Sequence, residues 1–173
     1  MQPLSPAPIQ APISMLEKTP GLLELLLRDV PAELLEWKPS AERWSISEVL
    51  GHLVTIERLY EQRARHIVLE DSPTLLKYQP PADGEMPKRT AWQYMEEFVP
   101  LRRAFTFYLH SVPAASAGRT GQHAELGKIS LSQMLHELAN HDLGHLRQIE
   151  ELYRAHAFYP YAGPFQKYSN PKP

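Results

Sequence analysis

Two histidines, His141 and His145, stand four residues apart in the segment LANHDLGHLRQIEELY, residues 138 to 153. In a helix this spacing stacks both imidazoles on one face, about 6 Å apart along the axis, close enough to converge on one divalent ion. H-E-x-x-H helices place their histidines in the same way, although the Glu of that motif is absent here. The apolar stripe of the segment runs through Leu131, Met134, Leu135 and Leu138 and resumes at Ile149 and Leu152. Its three-four continuation falls on positions 141 and 145, so two core slots hold imidazole in place of an aliphatic side chain. A buried polar group left unsatisfied costs about 1–3 kcal/mol. A metal ion is one partner that would use both rings together. A buried carboxylate or carbonyl for each ring is the other.

His52 adds a third nitrogen to the first alternative. It lies at the edge of a stripe formed by Val49, Leu53 and Ile56 and can face the interior from a second helix. Three imidazoles from two helices leave coordination positions free for water or substrate, which is the pattern of a catalytic rather than a structural site. Ligation needs neutral rings, so metal occupancy is expected to fall below the ordinary imidazole pKa of ~6.5.

The remaining polar residues fit this pattern less well. His136 points about 200° away from Leu138 and is expected at the surface. His66 shares the side of His52 but lies about 20 Å further along the axis, too far for the same ion. His110 and His156 sit near helix ends, where a charged or capping role suffices. His123, in GQHAELG, reads as a loop residue within reach of the mouth of a site. Among acids, Glu57 and Asp142 neighbour the candidate ligands. Asp142 is turned about 100° from His141 and suits a salt bridge or support of a ligand. Gln148 shares the face of His145 and can enter the cavity or bond another helix. No catalytic residue is singled out, for no G-x-S-x-G, G-x-G-x-x-G or Walker A pattern occurs.

Four helical segments must position these groups. The first is TPGLLELLLRDV, with Thr19 as N-cap and Pro20 at the first helical position. Before it, residues 1 to 13 read as an extended arm rich in proline. The second opens on a capping box, Ser45 with Glu48, and lasts to about residue 70. A connector over residues 71 to 89 carries four prolines and is long enough to make the third helix parallel to the second. The third starts near Thr90 and contains Pro100, where a kink is expected. The fourth opens on Ser130 with Gln133 and runs to about residue 156. No stretch alternates usefully as a strand. The tail, residues 158 to 173, is rich in aromatics and proline and is expected to pack on the bundle or on a partner.

Composition narrows the function. The 173 residues carry a formal net charge of -2, with no basic block to follow a phosphate backbone, so nucleic acid is not an expected partner. There are no cysteines, so any metal must be held by His, Asp, Glu or water. No window approaches the roughly eighteen apolar residues of a membrane span. The N-terminal segment lacks the features of a signal peptide. A cytoplasmic protein without membrane contact is expected.

The segments WSISEVLGHLVTIE and HAELGKISLSQMLHELANHDLGHLRQI, with the four-helix layout, resemble the DinB-like (YfiT-like) superfamily. The resemblance spans about residues 22 to 153. It implies an all-α four-helix bundle, up-down-down-up, over residues 14 to 157. It also implies a divalent metal, nickel or zinc, held by His52, His141 and His145, and often a homodimer. Characterised relatives are metal-dependent enzymes of small-molecule substrates, including S-transferases that use a low-molecular-weight thiol. The implied chemistry is a metal-activated thiolate attacking an electrophile, or metal-assisted hydrolysis. A non-catalytic metal-binding or stress-response module is the alternative.

Overall fold

The computed structural model describes residues 7–78 and 88–173. Four long helices dominate: α1 (Gln10–Leu27), α3 (Ile46–Leu69), α4 (Ala91–Ser111) and α5 (Leu131–Tyr153), with a short α2 (Ala32–Glu36) after the first. Pairings between helices fix their directions. On α3 and α4, Arg58 meets Glu97 and Arg65 lies over Tyr108, so these two helices run parallel. Ser132 of α5 reaches Ala7, just before α1, and Thr19 of α1 reaches Asp142 of α5, so these two helices are also parallel. Leu16 of α1 packs in one core cluster with Phe105 and Leu109, whereas Leu23 packs in the other with Met95 and Phe98, so α1 opposes α4. The result is the expected up-down-down-up bundle.

Caps begin the helices as the sequence indicates. Ser45 and Glu48 close a capping box on α3, and Ser130 and Gln133 do so on α5. Thr90 and Gln93 form a third on α4. Helix α4 continues through Pro100; Glu96, whose carbonyl loses its helical donor there, is exposed and can be solvated.

The first helix departs from expectation. It begins at Gln10, so the extended arm does not reach residue 13; residues 1–6 lie outside the described part. Pro12 falls in the first turn, where its missing N–H has no helical partner in any case. Thr19 and Pro20 are not a cap but lie buried in the middle of α1. Pro20 cannot donate to Leu16, and the freed carbonyl of Leu16 accepts instead from Arg102 Nη1 at 3.1 Å.

Two strands also form where none was expected. β1 (Thr120–His123) and β2 (Gly127–Ser130) make an antiparallel hairpin, with Thr120 opposite Ser130 and His123 opposite Gly127. Gly127 takes φ 70°, which a glycine adopts freely. The hairpin is tied to the chain after α3: Leu75 N–H donates to Gln122 O and Gln122 N–H to Pro73 O, each at 2.8 Å. Leu75 packs so closely on Gly121 that a Cβ there would stand 2.6 Å from Leu75 Cδ2. Of the 71-to-89 connector, residues 79–87 lie outside the described part. After α5, Phe158 meets the Tyr153 ring at 5.1 Å, whereas Tyr161, Phe165 and Tyr168 are largely exposed, which leaves a partner as the expected cover for them. Just before the tail His156 meets Trp37, and Arg154 bonds Ser169 of the tail itself.

Candidate metal centre

The bundle core divides into two apolar clusters. Between them lies a buried polar layer with one residue from each long helix: Thr19 (α1), Glu57 (α3), Arg102 (α4) and Asp142 (α5). Arg102 Nε donates to Glu57 Oε1 at 2.8 Å and Nη2 lies 2.7 Å from Oε2. Its Nη1 donates to Asp142 Oδ2 at 2.5 Å, and Thr19 Oγ1 donates to the same oxygen at 2.6 Å. All four side chains are fully buried or nearly so. A pair of opposite charges in this setting is stable only because its hydrogen bonds are made. Burial raises the Glu57 carboxyl's pKa, and the Arg102 charge opposes that rise.

The histidines lie beside this layer, between the antiparallel α3 and α5. Nε2 of His52 stands 3.0 Å from Nε2 of His141, which stands 3.1 Å from Nε2 of His145. The three rings thus meet by their Nε2 edges, half-buried, with ligand nitrogens all within 4.8 Å of one another. The other nitrogen of two rings is held from outside. His145 Nδ1–H donates to Gln148 Oε1 at 2.9 Å, and His52 Nδ1 shares a hydrogen bond of 3.2 Å with the Tyr78 hydroxyl. Nδ1 of His141 is buried with no partner among the described residues. Trp44, part-exposed, stacks along His145 and tilts against His52, with ring centres 6.3 and 4.9 Å away.

Electrostatics keep these rings neutral. Burial, reinforced by the other two histidines, depresses His52 to about 3. Burial and the His145 ring depress His141 to about 4. Burial lowers His145 as well, against the opposing effect of its Gln148 bond. A neutral imidazole carrying its proton on Nδ1 presents a bare lone pair at Nε2. The Gln148 acceptor fixes that tautomer for His145, and with the same tautomer at His52 and His141 three lone pairs would face one another and repel unless a cation lay among them. An ion bound by imidazole at 2.0–2.1 Å would set neighbouring nitrogens about 2.9–3.4 Å apart, and the observed 3.0 and 3.1 Å fall within that range. The residues present therefore fit a divalent metal with open positions.

Of the other residues singled out in the sequence, Gln148 joins the centre through His145. Glu57 and Asp142 do not; both are committed to Arg102. His123 lies away from the triad, near Arg63. His110 contacts Glu17, His136 bonds the carbonyl of Ser132, and His156 meets Trp37. Sequence reasoning passed over Arg102, Trp44 and Tyr78 as parts of the site. Arg102 carried a signal, since it falls on the apolar stripe between Phe98 and Phe105. Tyr78 carried none, because the connector has no periodicity from which to read a direction.

Comparison with known proteins agrees with the fold. The solved structure of YfiT from Bacillus subtilis superposes with a TM-score of 0.77, at 19% identity, over 89% of this chain and 90% of that one. YfiT is described as a probable metal-dependent hydrolase with an unusual four-helix bundle topology. The uncharacterized protein YuaE of Bacillus subtilis (strain 168) is 27% identical over 142 residues, covering 73% of this chain and 87% of its own. The family profile of the DinB superfamily matches residues 15–149. That span includes α3, most of α5 and all three histidines of the candidate centre, and the chain belongs to the DinB superfamily.

Proposed function

We propose that this protein is a metal-dependent hydrolase of a small-molecule substrate, with its divalent ion held by His52, His141 and His145. The observation that carries the proposal is the meeting of three half-buried imidazoles by their Nε2 edges, at 3.0 and 3.1 Å, with burial disfavouring their charged forms. When bound, the ion supplies Lewis acidity and lowers the pKa of a water in its open position. Nitrogen donors of this kind suit zinc and nickel. The chain's own contribution is to hold the rings neutral and to fix their orientation, His145 through Gln148 and His52 through Tyr78. Trp44 gives the centre an apolar wall that excludes water from one side. Glu57 and Asp142, bound to Arg102, are not free to act as general bases.

The test is turnover by zinc- and nickel-loaded protein of a panel of nitrophenyl esters and anilides, with and without added low-molecular-weight thiols. Metal-dependent release of nitrophenol or nitroaniline, independent of thiol and absent from the His141→Ala variant, supports hydrolysis. Turnover of chlorodinitrobenzene that requires a thiol, with no hydrolysis, would replace it with thiol transfer. Silence in every arm would favour the non-catalytic module.

A further inference from the structure

Arg63 sits on α3 three turns beyond His52, about 16 Å along the axis. It is 5% exposed. Its Nε and Nη2 both donate to one acceptor, the carbonyl of Leu76, with Nε at 2.9 Å. Its guanidinium lies 5.5 Å from the centre of the Tyr60 ring. No carboxylate among the described residues pairs with it. Glu125, the acid beside His123 in the hairpin turn, is turned to Lys77 at 2.7 Å. Arg102, the other buried arginine, has two carboxylates. Among the described residues Arg63 has a carbonyl and an aromatic face but no counter-charge. Such a charge is costly to bury unless something else neutralises it.

His123 shows where the missing partner belongs. Its Nδ1 accepts from the backbone N–H groups of Glu125 at 3.2 Å and Leu126 at 3.3 Å. With Nδ1 accepting, the ring carries its proton on Nε2. That Nε2 faces Arg63 Nη2 at 3.5 Å, so two donors meet with no acceptor between them. Because the Leu76 carbonyl takes Nε–H and one Nη2 N–H, the second Nη2 N–H and the Nη1 N–H beside it form the remaining two-pronged edge, next to the histidine. Neither residue touches the metal triad.

We propose that Arg63 and His123 form a recognition site for the carboxylate group of a small molecule. The planar Nη1–Nη2 fork matches a carboxylate in bidentate geometry, and His123 Nε2–H adds a third donor to one of its oxygens. The site is independent of the hydrolytic proposal, since no metal ligand enters it. It has a structural neighbour in the centre all the same: the Leu76 carbonyl that holds Arg63 lies two residues from Tyr78, whose hydroxyl bonds His52.

The experiment is an NMR titration of the full-length protein with propionate, following the Arg63 Nε–H and the His123 ring, with propionamide as the uncharged control. Saturable shifts at both residues with propionate and none with propionamide are expected. Binding should weaken at least about tenfold in His123→Leu, which loses one charge-assisted bond but leaves α3 untouched, and in Arg63→Lys, which keeps charge but not the fork. Shifts confined to the His52 and His145 rings would place the carboxylate at the metal and overturn the proposal. So would equal response to propionamide, unchanged affinity in a folded Arg63→Lys and His123→Leu pair, or saturation by inorganic phosphate with no response to propionate.

Discussion

Nε2 of His52 and Nε2 of His141 face each other across 3.0 Å from two antiparallel helices, and neither ring has a carboxylate partner among the described residues. Two imidazoles meeting this way in a protein core would ordinarily share a proton. Here His145 approaches the same His141 nitrogen at 3.1 Å, and one proton cannot serve three lone pairs. The arrangement fits the ligand set proposed for a divalent metal.

The bonds behind the rings should tune affinity without creating or destroying the site. Gln148→Leu removes the acceptor of His145 Nδ1–H, and Tyr78→Phe removes the partner of His52 Nδ1. Each is expected to weaken metal binding by about 10–100-fold while stoichiometry at saturating metal is retained. Competition with a metal-responsive chelator measures both quantities in one titration.

Acid should act on the metal-free protein before it acts on the folded ligands. Burial holds His52 near 3 and His141 near 4, well below an unfolded histidine at ~6.5. These folded pKa values are depressed, so below pH ~6.5 the unfolded chain takes up protons that the folded one refuses. Stability is then full above that pH and declines as it falls toward 4. Urea midpoints of the metal-free protein measured across this window should fall steadily with pH, and the slope should diminish in the His52→Ala, His141→Ala double variant. The same depression moves metal release to lower pH than the ordinary imidazole value suggests, because the folded rings stay neutral through the range where exposed histidines protonate.

The polar layer beside the site should be costly to break. Arg102→Met leaves Glu57 and Asp142 buried without a counter-charge and is expected to cost about 3–5 kcal/mol. Thr19→Val removes only one hydrogen bond to Asp142 and should cost about 2 kcal/mol. Urea unfolding of the two variants side by side gives the ratio.

Much of this was legible in the sequence because helical periodicity is a strong local signal. The stripe on α5 exposed His141 and His145 as imidazoles in core slots, and the capping boxes at Ser45 and Ser130 placed the starts of both histidine-bearing helices. What was not legible depends on contacts between distant residues. Thr19-Pro20 has the composition of a helix start. Only the approach of Arg102 to Leu16 O and of Asp142 to Thr19 explains why it lies mid-helix. The hairpin at Thr120–His123 and Gly127–Ser130 is four residues a side and is held by pairing to residues 73–75, some fifty positions earlier, which no local pattern announces. Tyr78 reaches His52 from that same tied segment.

Metal content per chain, measured on untagged protein after loading with zinc or nickel and exhaustive dialysis, bears most directly on the histidine centre. The wild type should retain about one ion per chain, and His52→Ala and His141→Ala should each retain almost none while remaining folded. Full occupancy in either variant, or no retained metal in the wild type, would contradict assignment of these three histidines as the ligands.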